Sequence, residues 1–171
     1  MSEELKKFIH LKRREIESRL KETFLIVFLM GAGGKGLAER RKIKDILEKE
    51  GITAIIAEDD LPKDVAPSLS EKYVLKSKEV ELAFINVESW GSVAEFAQYH
   101  EDPTIAPKLR VLVESRFHPL YGTESSYLTD LYLTHLAVYG HVYAYGEAPF
   151  PSCADIIKKL AIRYKEWKAL R

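Results

Sequence analysis

Apolar residues along this chain recur at two spacings, and the alternation between them outlines a fold. Residues 3–21 are rich in Glu, Lys and Arg, with Leu5, Phe8, Ile9, Ile16 and Leu20 on roughly one helical face, which predicts a leading amphipathic helix. Residues 24–30 (FLIVFLM) form a continuous apolar run, as a central strand covered on both faces requires. A glycine-rich turn follows, then a helix from about Leu37 to Glu50 that Gly51 closes as C-terminal cap. Residues 52–57 predict a second strand, 58–67 a loop with two prolines and four acidic residues, and 68–78 a helix. A third strand is expected over 81–87, a helix over 92–100 and a fourth strand over 109–114. After a loop over 116–124 come a helix over 126–139 ended by Gly140, a fifth strand over 141–145, and a closing helix over 151–170.

Short apolar strands alternating with helices imply an α/β fold: a parallel sheet wound with right-handed crossovers and covered on both faces. Five strands with the longest apolar run first suggest a doubly wound, mainly parallel sheet of flavodoxin-like or Rossmann-like order 2-1-3-4-5. Residues 1–171 then form a single domain, to which the N-terminal helix is an addition. Contents of 46% hydrophobic and 30% charged residues fit an ordinary globular core. Lys+Arg and Asp+Glu are both 26, and the resulting net charge of +0 lacks the basic field that a nucleic-acid polymer or acidic membrane would need. No apolar run approaches a membrane span, and the charged residues 2–14 do not read as a signal peptide, so a cytoplasmic location is expected. Asn86 and Gln98 are the only side-chain amides against abundant Lys and Glu, a hyperthermophile pattern.

Two stretches carry candidate chemistry. The first strand runs into Gly31-Ala32-Gly33-Gly34-Lys35-Gly36, which satisfies G-x-G-x-x-G between a strand and a helix. Glycines there permit a tight turn and let a phosphate approach backbone N–H groups at the helix N-terminus, so Gly31, Gly33, Gly34 and Gly36 are expected to contact one. Glu58 ends the second strand, 22 residues past Gly36, where a ribose-binding acid belongs in a dinucleotide fold. The alternative is a ligand-free turn, and a full dinucleotide dehydrogenase would need a substrate domain for which the chain leaves little room.

The second stretch is Gly91-Ser92-Val93-Ala94-Glu95-Phe96-Ala97, placed after the third strand and the polar turn Glu88-Ser89-Trp90. Ligands of open α/β sheets bind outside the carboxyl ends of the strands. A Glu95 in the first helical turn would be held ionised by the helix dipole and aimed at that crevice, as a nucleophile or base. Ser92-x-x-Glu95 also reads as a capping box, a purely structural role. Glu88 and Ser92 are candidate sugar ligands, and Trp90 beside Gly91 is a candidate stacking surface for a base.

Other chemistries lack support. Cys153 is the only cysteine, the five histidines show no metal spacing, and no G-x-S-x-G elbow occurs, so neither a metal site nor a hydrolase triad is expected. Tyr121, Tyr127, Tyr132, Tyr139, Tyr143 and Tyr145 read as core and subunit contact, and the helix over 126–139 is the expected surface of a homo-oligomer.

The strand over 82–87 followed by Gly91-Ser92-Val93-Ala94-Glu95-Phe96-Ala97 resembles the nucleoside 2-deoxyribosyltransferase-like group, related in architecture to the TIR and SLOG nucleotide-processing domains. Its strand, polar turn and G-[ST]-x-x-E-[LF]-[GA] helix start match these residues. Residues 102–113 and Ser125-Ser126-Tyr127-Leu128 resemble further segments of related defence-associated effectors, so the likeness spans roughly residues 24–145. It implies that Glu95 occupies the catalytic glutamate position. The chain departs from the group in carrying Glu88 and Glu81 where Asp is usual, and in lacking the aromatic residue of the first turn. The resemblance therefore implies an N-glycosidase or (deoxy)ribosyltransferase acting on a small nucleoside or nucleotide. It needs no separate cofactor, and NAD is a possible substrate or ligand. The alternative from another class is a non-catalytic nucleotide-sensing module.

Overall fold

The computed structural model describes residues 1–171. A five-stranded sheet lies at its centre in the order β2-β1-β3-β4-β5, with every neighbouring pair parallel. The strands are β1 (Ile26–Met30), β2 (Thr53–Ile56), β3 (Val80–Asn86), β4 (Leu109–Glu114) and β5 (Val142–Tyr145). The helices are α1 (Glu3–Glu22), α2 (Lys35–Lys49), α3 (Ala57–Asp60), α4 (Pro67–Leu75), α5 (Trp90–His100), α6 (Tyr127–Val138) and α7 (Cys153–Leu170). This is the doubly wound α/β architecture and strand order that the apolar pattern predicts. No helix is long and apolar enough to cross a membrane.

Strand side chains alternate between two cores. Phe28, Met30, Ala83, Ile85, Val111 and Val113 pack with Leu75, Phe96, Tyr99 and Tyr132 beneath α4, α5 and α6. Their neighbours Val27, Leu29, Leu82, Phe84 and Leu112 pack with Ile43, Leu47, Ile156, Ile157 and Ala161 beneath α2 and α7. Covering both faces explains why β1 and β3 read as unbroken apolar runs rather than alternating ones. Phe24 lies outside β1 and is exposed, so the first strand is shorter than its apolar run.

One expectation about the periphery changes: Ala57–Asp60, read as the end of a strand and the start of a loop, form the short helix α3. The leading helix neither covers the strand ends nor lies on the sheet; it touches α7 near the chain terminus. The acidic loop after β2 is anchored by charge. Arg40, Arg41 and Lys44 of α2 pair in turn with Glu58, Asp59 and Asp60 of α3 at 2.9, 2.7 and 2.8 Å.

Under α5 and α6, His135 is buried against the Leu109 carbonyl, and its Nδ1 lies 2.9 Å from that of His100. Burial, with His100, His141 and Arg110 adding positive charge nearby, pushes the His135 pKa down to about 4. An unfolded histidine takes up its proton near 6.5, so the unfolded state binds more protons between those two values. Stability is therefore lost as pH falls from about 6.5 towards about 4. We expect the melting temperature to drop progressively across that window. A His135→Gln variant, less stable at neutral pH, should show a shallower slope; an unchanged slope would exclude His135 as its source.

Candidate active site

The helix after β3 begins earlier than its sequence suggests, and the shift changes the role of its glutamate. Ser89 is the N-cap of α5, and its hydroxyl accepts from the Ser92 N–H at 3.2 Å. In return Ser92 Oγ accepts from the N–H groups of Ser89 (2.9 Å) and Glu88 (3.0 Å) and donates to the Ser89 carbonyl (2.9 Å). The capping box is Ser89–Ser92 rather than Ser92–Glu95. Ser92 is fully buried, and with its hydroxyl committed to the cap it is not free to bind a sugar.

Glu95 consequently lies in the second turn of α5, past the short reach of the helix-end dipole. It adjoins Phe96 and sits one turn before Tyr99, at the border of the stripe that α5 buries against the sheet. Burial, then the carboxylate of Glu71 beside it and that of Glu58 farther off, raise its pKa to about 9, with Arg40 acting in the opposite sense. Where the sequence led to the expectation of an ionised Glu95, its surroundings favour the protonated form. The physical reason is desolvation beside like charge, which disfavours the anion.

Glu95 opens onto a cleft of about 400 Å³ between α4 and α5, beyond the end of β2, with Glu58, Leu61, Glu71 and Tyr99 on its walls. The buried Tyr99 ring sends its hydroxyl to Glu71 Oε1 at 2.6 Å, fixing that carboxyl in place. Lys63 is the one cation on the cleft's rim. Two carboxyl groups in contact, one neutral and one oriented by a phenol, form an arrangement suited to general acid catalysis.

Glu58 contributes to this cleft, but its carboxylate is already engaged. Arg40 grips it with Nη1 at 2.9 Å and Nη2 at 3.0 Å. The same guanidinium, on the buried stripe of α2, donates to the carbonyls of Ala32 (2.8 Å), Gly31 (3.4 Å) and Leu29 (3.4 Å). The glycine turn is therefore held from beneath through its carbonyl groups. At its tip Gly33 and Gly34 are exposed, and Gly34, with φ +57°, is the N-cap of α2 and needs a residue without Cβ.

At Gly36 a Cβ would come within 2.9 Å of Glu88 Oε1, the movable end of that side chain, and 3.1 Å of the Ala32 Cβ. The protein's own carboxylate therefore stands at the anion-binding end of α2. Desolvation and Glu39 raise the Glu88 pKa, while Arg40 and the Ala32 N–H favour its charged form. Gly31 and Gly36 line a narrow crevice of about 20 Å³ with Glu88, Arg40 and Asn86, on the opposite side of the sheet from Glu95.

Glu88 also lines a second cleft of about 450 Å³ with Ser89, Trp90, Glu114, Arg116 and Tyr132. Trp90, 91% exposed, stands at its edge, and Arg116 lies over the Phe117 ring at 4.5 Å. The residues singled out from sequence thus divide. Glu95 and Glu58 share one cleft, Glu88 and Trp90 another, and Gly91 is exposed in the first turn of α5 between them. No group of three or more His, Cys, Asp or Glu is placed to hold a metal ion.

Sequence inspection missed Glu71, Tyr99 and Arg40. Arg40 does carry a signal, since Arg40, Ile43 and Leu47 follow helical spacing and put a cation in an apolar stripe. Glu71 carries none, because its partner Tyr99 is 28 residues away on another helix.

Neither the protein-family models nor the curated proteins searched contain a match to this chain.

Two substitutions separate the cap from the acid. Ser89→Ala should cost about 1 kcal/mol through loss of the cap, lowering the melting temperature by about 2–4 °C. Glu95→Gln removes a carboxyl whose folded pKa lies above its unfolded one, a group that makes the wild type less stable as pH rises from about 4.5 to about 9. The variant should therefore gain on the wild type steadily across that range and hold its advantage above it. A stability difference that stays constant across that range would show that folding does not raise the Glu95 pKa.

Proposed function

We propose that the protein is an enzyme that cleaves or transfers the N-glycosidic bond of a nucleoside or nucleotide, with NAD among the candidate substrates. The observation that carries this reading is the geometry of the cleft between α4 and α5, where Glu95 lies beside the Glu71 carboxyl that Tyr99 holds at 2.6 Å, a setting in which burial and like charge favour the protonated form of Glu95. The resemblance of residues 82–97 to the deoxyribosyltransferase-like group supports it independently.

In this mechanism the C1′–N bond breaks with its electron pair passing to the base; a neutral base takes the proton of Glu95 as it leaves, whereas the cationic nicotinamide of NAD departs neutral without one, so there Glu95 would keep its proton. The positive charge that develops on the sugar faces the Glu71 carboxylate, which Tyr99 orients without neutralising. Water or a second base then adds at C1′, and the proton it sheds returns to Glu95. A neutral Glu95 acts as the proton donor, and the role of anion, nucleophilic or electrostatic, moves to Glu71.

The second reading, a nucleotide-sensing module, draws on the cleft beside Trp90. There an exposed indole and the Arg116 guanidinium offer a stacking face and a cation to a ligand that Glu95 does not touch.

The discriminating assay incubates wild type, Glu95→Gln and Glu71→Gln with NAD, nucleoside monophosphates and deoxynucleosides at elevated temperature, following free base by chromatography. Loss of a general acid should lower turnover by about 10²–10⁴-fold with ligand affinity little changed. Wild-type turnover should fall as pH rises through about 9, where Glu95 gives up its proton. Release of base by all three proteins alike would dismiss the Glu95 mechanism. Absence of release, with a nucleotide-induced rise in melting temperature that Trp90→Ala abolishes, would establish the sensor.

A further inference from the structure

The two ends of the sheet differ in charge. Outside the carboxyl ends of the strands the clefts are lined mainly by acids, Glu58, Glu71 and Glu95 in one, Glu88 and Glu114 in the other. At the opposite end a groove of about 360 Å³ crosses the starts of β3 and β4, and its charged residues are Lys76, Lys78, Lys108, Arg110 and Glu81. Four cations and one acid meet there, in a chain whose Lys+Arg and Asp+Glu counts are equal at 26. The net charge of +0 conceals this local excess.

Ion pairing within the fold does not cancel the excess. Glu81 pairs with Lys168, and Asp102 pairs with Lys76 at 3.5 Å and with Lys72 at 4.0 Å. Glu79, next to Lys78, is bound by the Ser77 hydroxyl. Asp102 favours the charge on Lys108 from outside ion-pair distance. Arg110 is half-buried on β4, and the ionisable groups acting on it are the Tyr143 and Tyr164 phenols, not an acid. Its hydrogen bond within the protein runs from Nη1 to the Pro107 carbonyl at 2.9 Å. The rest of its planar fork is free to meet the paired oxygens of an oxyanion. Lys108 supplies the frame: its Nζ donates to the carbonyls of Ser77 (2.8 Å) and Val80 (2.9 Å), fixing the turn that carries Lys78 at the groove. Cations held close together and partly out of water repel one another and lose hydration, so an anion that fills the groove stabilises it.

We propose that the groove at the amino ends of β3 and β4 binds a diphosphate group, as free pyrophosphate or as the phosphates of a nucleotide. Arg110 grips one phosphate through its free N–H groups, and Lys78 and Lys108 add charge beside it. Lys78, Lys108 and Arg110, none in ion-pair contact with a carboxylate, suit an anion of several charges better than a monovalent one. A nucleic-acid polymer is disfavoured, because Glu79, Glu81 and Asp102 border the groove and interrupt the basic track that a phosphate backbone would follow. The groove lies at the other end of the sheet from Glu95, and its reading does not depend on the glycosidic one.

The test is calorimetric titration of the full chain with pyrophosphate and with ADP at constant ionic strength. Arg110→Gln should weaken pyrophosphate binding by about 10–100-fold, the loss expected for hydrogen bonds to a charged group. Lys78→Gln, at an exposed residue, should weaken it several-fold with the melting temperature unchanged, so a folding defect in Arg110→Gln does not decide the matter. Lys63→Gln and Arg116→Gln, in the clefts at the other end, should bind as wild type does. Phosphates also raise melting temperatures by exclusion from the protein surface, so the contrast among variants carries the result. Equal affinity for pyrophosphate and ADP assigns recognition to the diphosphate alone, and tighter ADP assigns it to a nucleotide; both uphold the site. No binding by wild type, affinity unchanged in both Arg110→Gln and Lys78→Gln, or affinity lost instead in Lys63→Gln or Arg116→Gln would each overturn the proposal. So would an oligonucleotide that binds through Arg110 and Lys78 more tightly than pyrophosphate does.

Discussion

The Arg40 guanidinium is the interaction on which the functional end of the molecule depends. It is buried in the apolar stripe of α2, and its two terminal nitrogens reach the Glu58 carboxylate and three carbonyls at the end of β1 and in the glycine turn. One side chain thereby ties β1, its turn, α2 and the residue that follows β2. A cation taken out of water is stabilising only when its hydrogen bonds are nearly all met, and a buried ion pair adds less to stability than to geometry. Arg40 fits that account: its Nε has no partner, while every bond it does make fixes an element bordering the clefts. The adjacent pairs Arg41–Asp59 and Lys44–Asp60 are more exposed and add little energy each, yet they hold α3 in the orientation Arg40 sets.

Electrostatics in the cleft follow from that arrangement. Arg40 offsets the Glu58 charge only in part, and Glu71 and Glu95 share a partly dry space that holds one negative charge more easily than two. Burial and the neighbouring Glu71 push the Glu95 pKa up, while the Tyr99 hydroxyl donates to Glu71. Had α5 started at Ser92, Glu95 would have met the positive end of the helix and remained an anion. A helix capped at Ser89 rather than at Ser92 thus decides whether the helix end favours the Glu95 anion.

The fold was legible because each face of the sheet writes its own pattern into the chain. Continuous apolar runs marked β1 and β3, and glycines at Gly51 and Gly140, both with positive φ, marked where helices stop. The start of α5 was misplaced because two serines three residues apart satisfy one another as a capping box, while a glutamate three residues beyond Ser92 matches the better-known pattern. Of the site, Glu95 and Glu58 were visible as acids after strands. Their environments were not, since a pKa depends on neighbours that folding brings together: Glu71 from α4 and Arg40 from α2 have no fixed sequence distance to α5. The glycine turn likewise announced its flexibility but not that Glu88 would stand over Gly36.

The position of Glu88 bears on how any ligand must enter. A phosphate approaching the N-terminus of α2 would meet a carboxylate that already stands there, and like charges at that distance repel. Anion binding at the turn therefore requires Glu88 either to swing into the cleft it shares with Trp90 or to take up a proton, which its raised pKa makes easier. The acid chemistry at Glu95 needs neither event, because α5 and the sheet separate the two places. Under the proposed function, binding at the turn and proton transfer in the cleft would fall to different carboxyl groups with different neighbours. Glu88 stands between the turn and the Trp90 cleft on one side of α5, and Glu95 and Glu71 stand on the other.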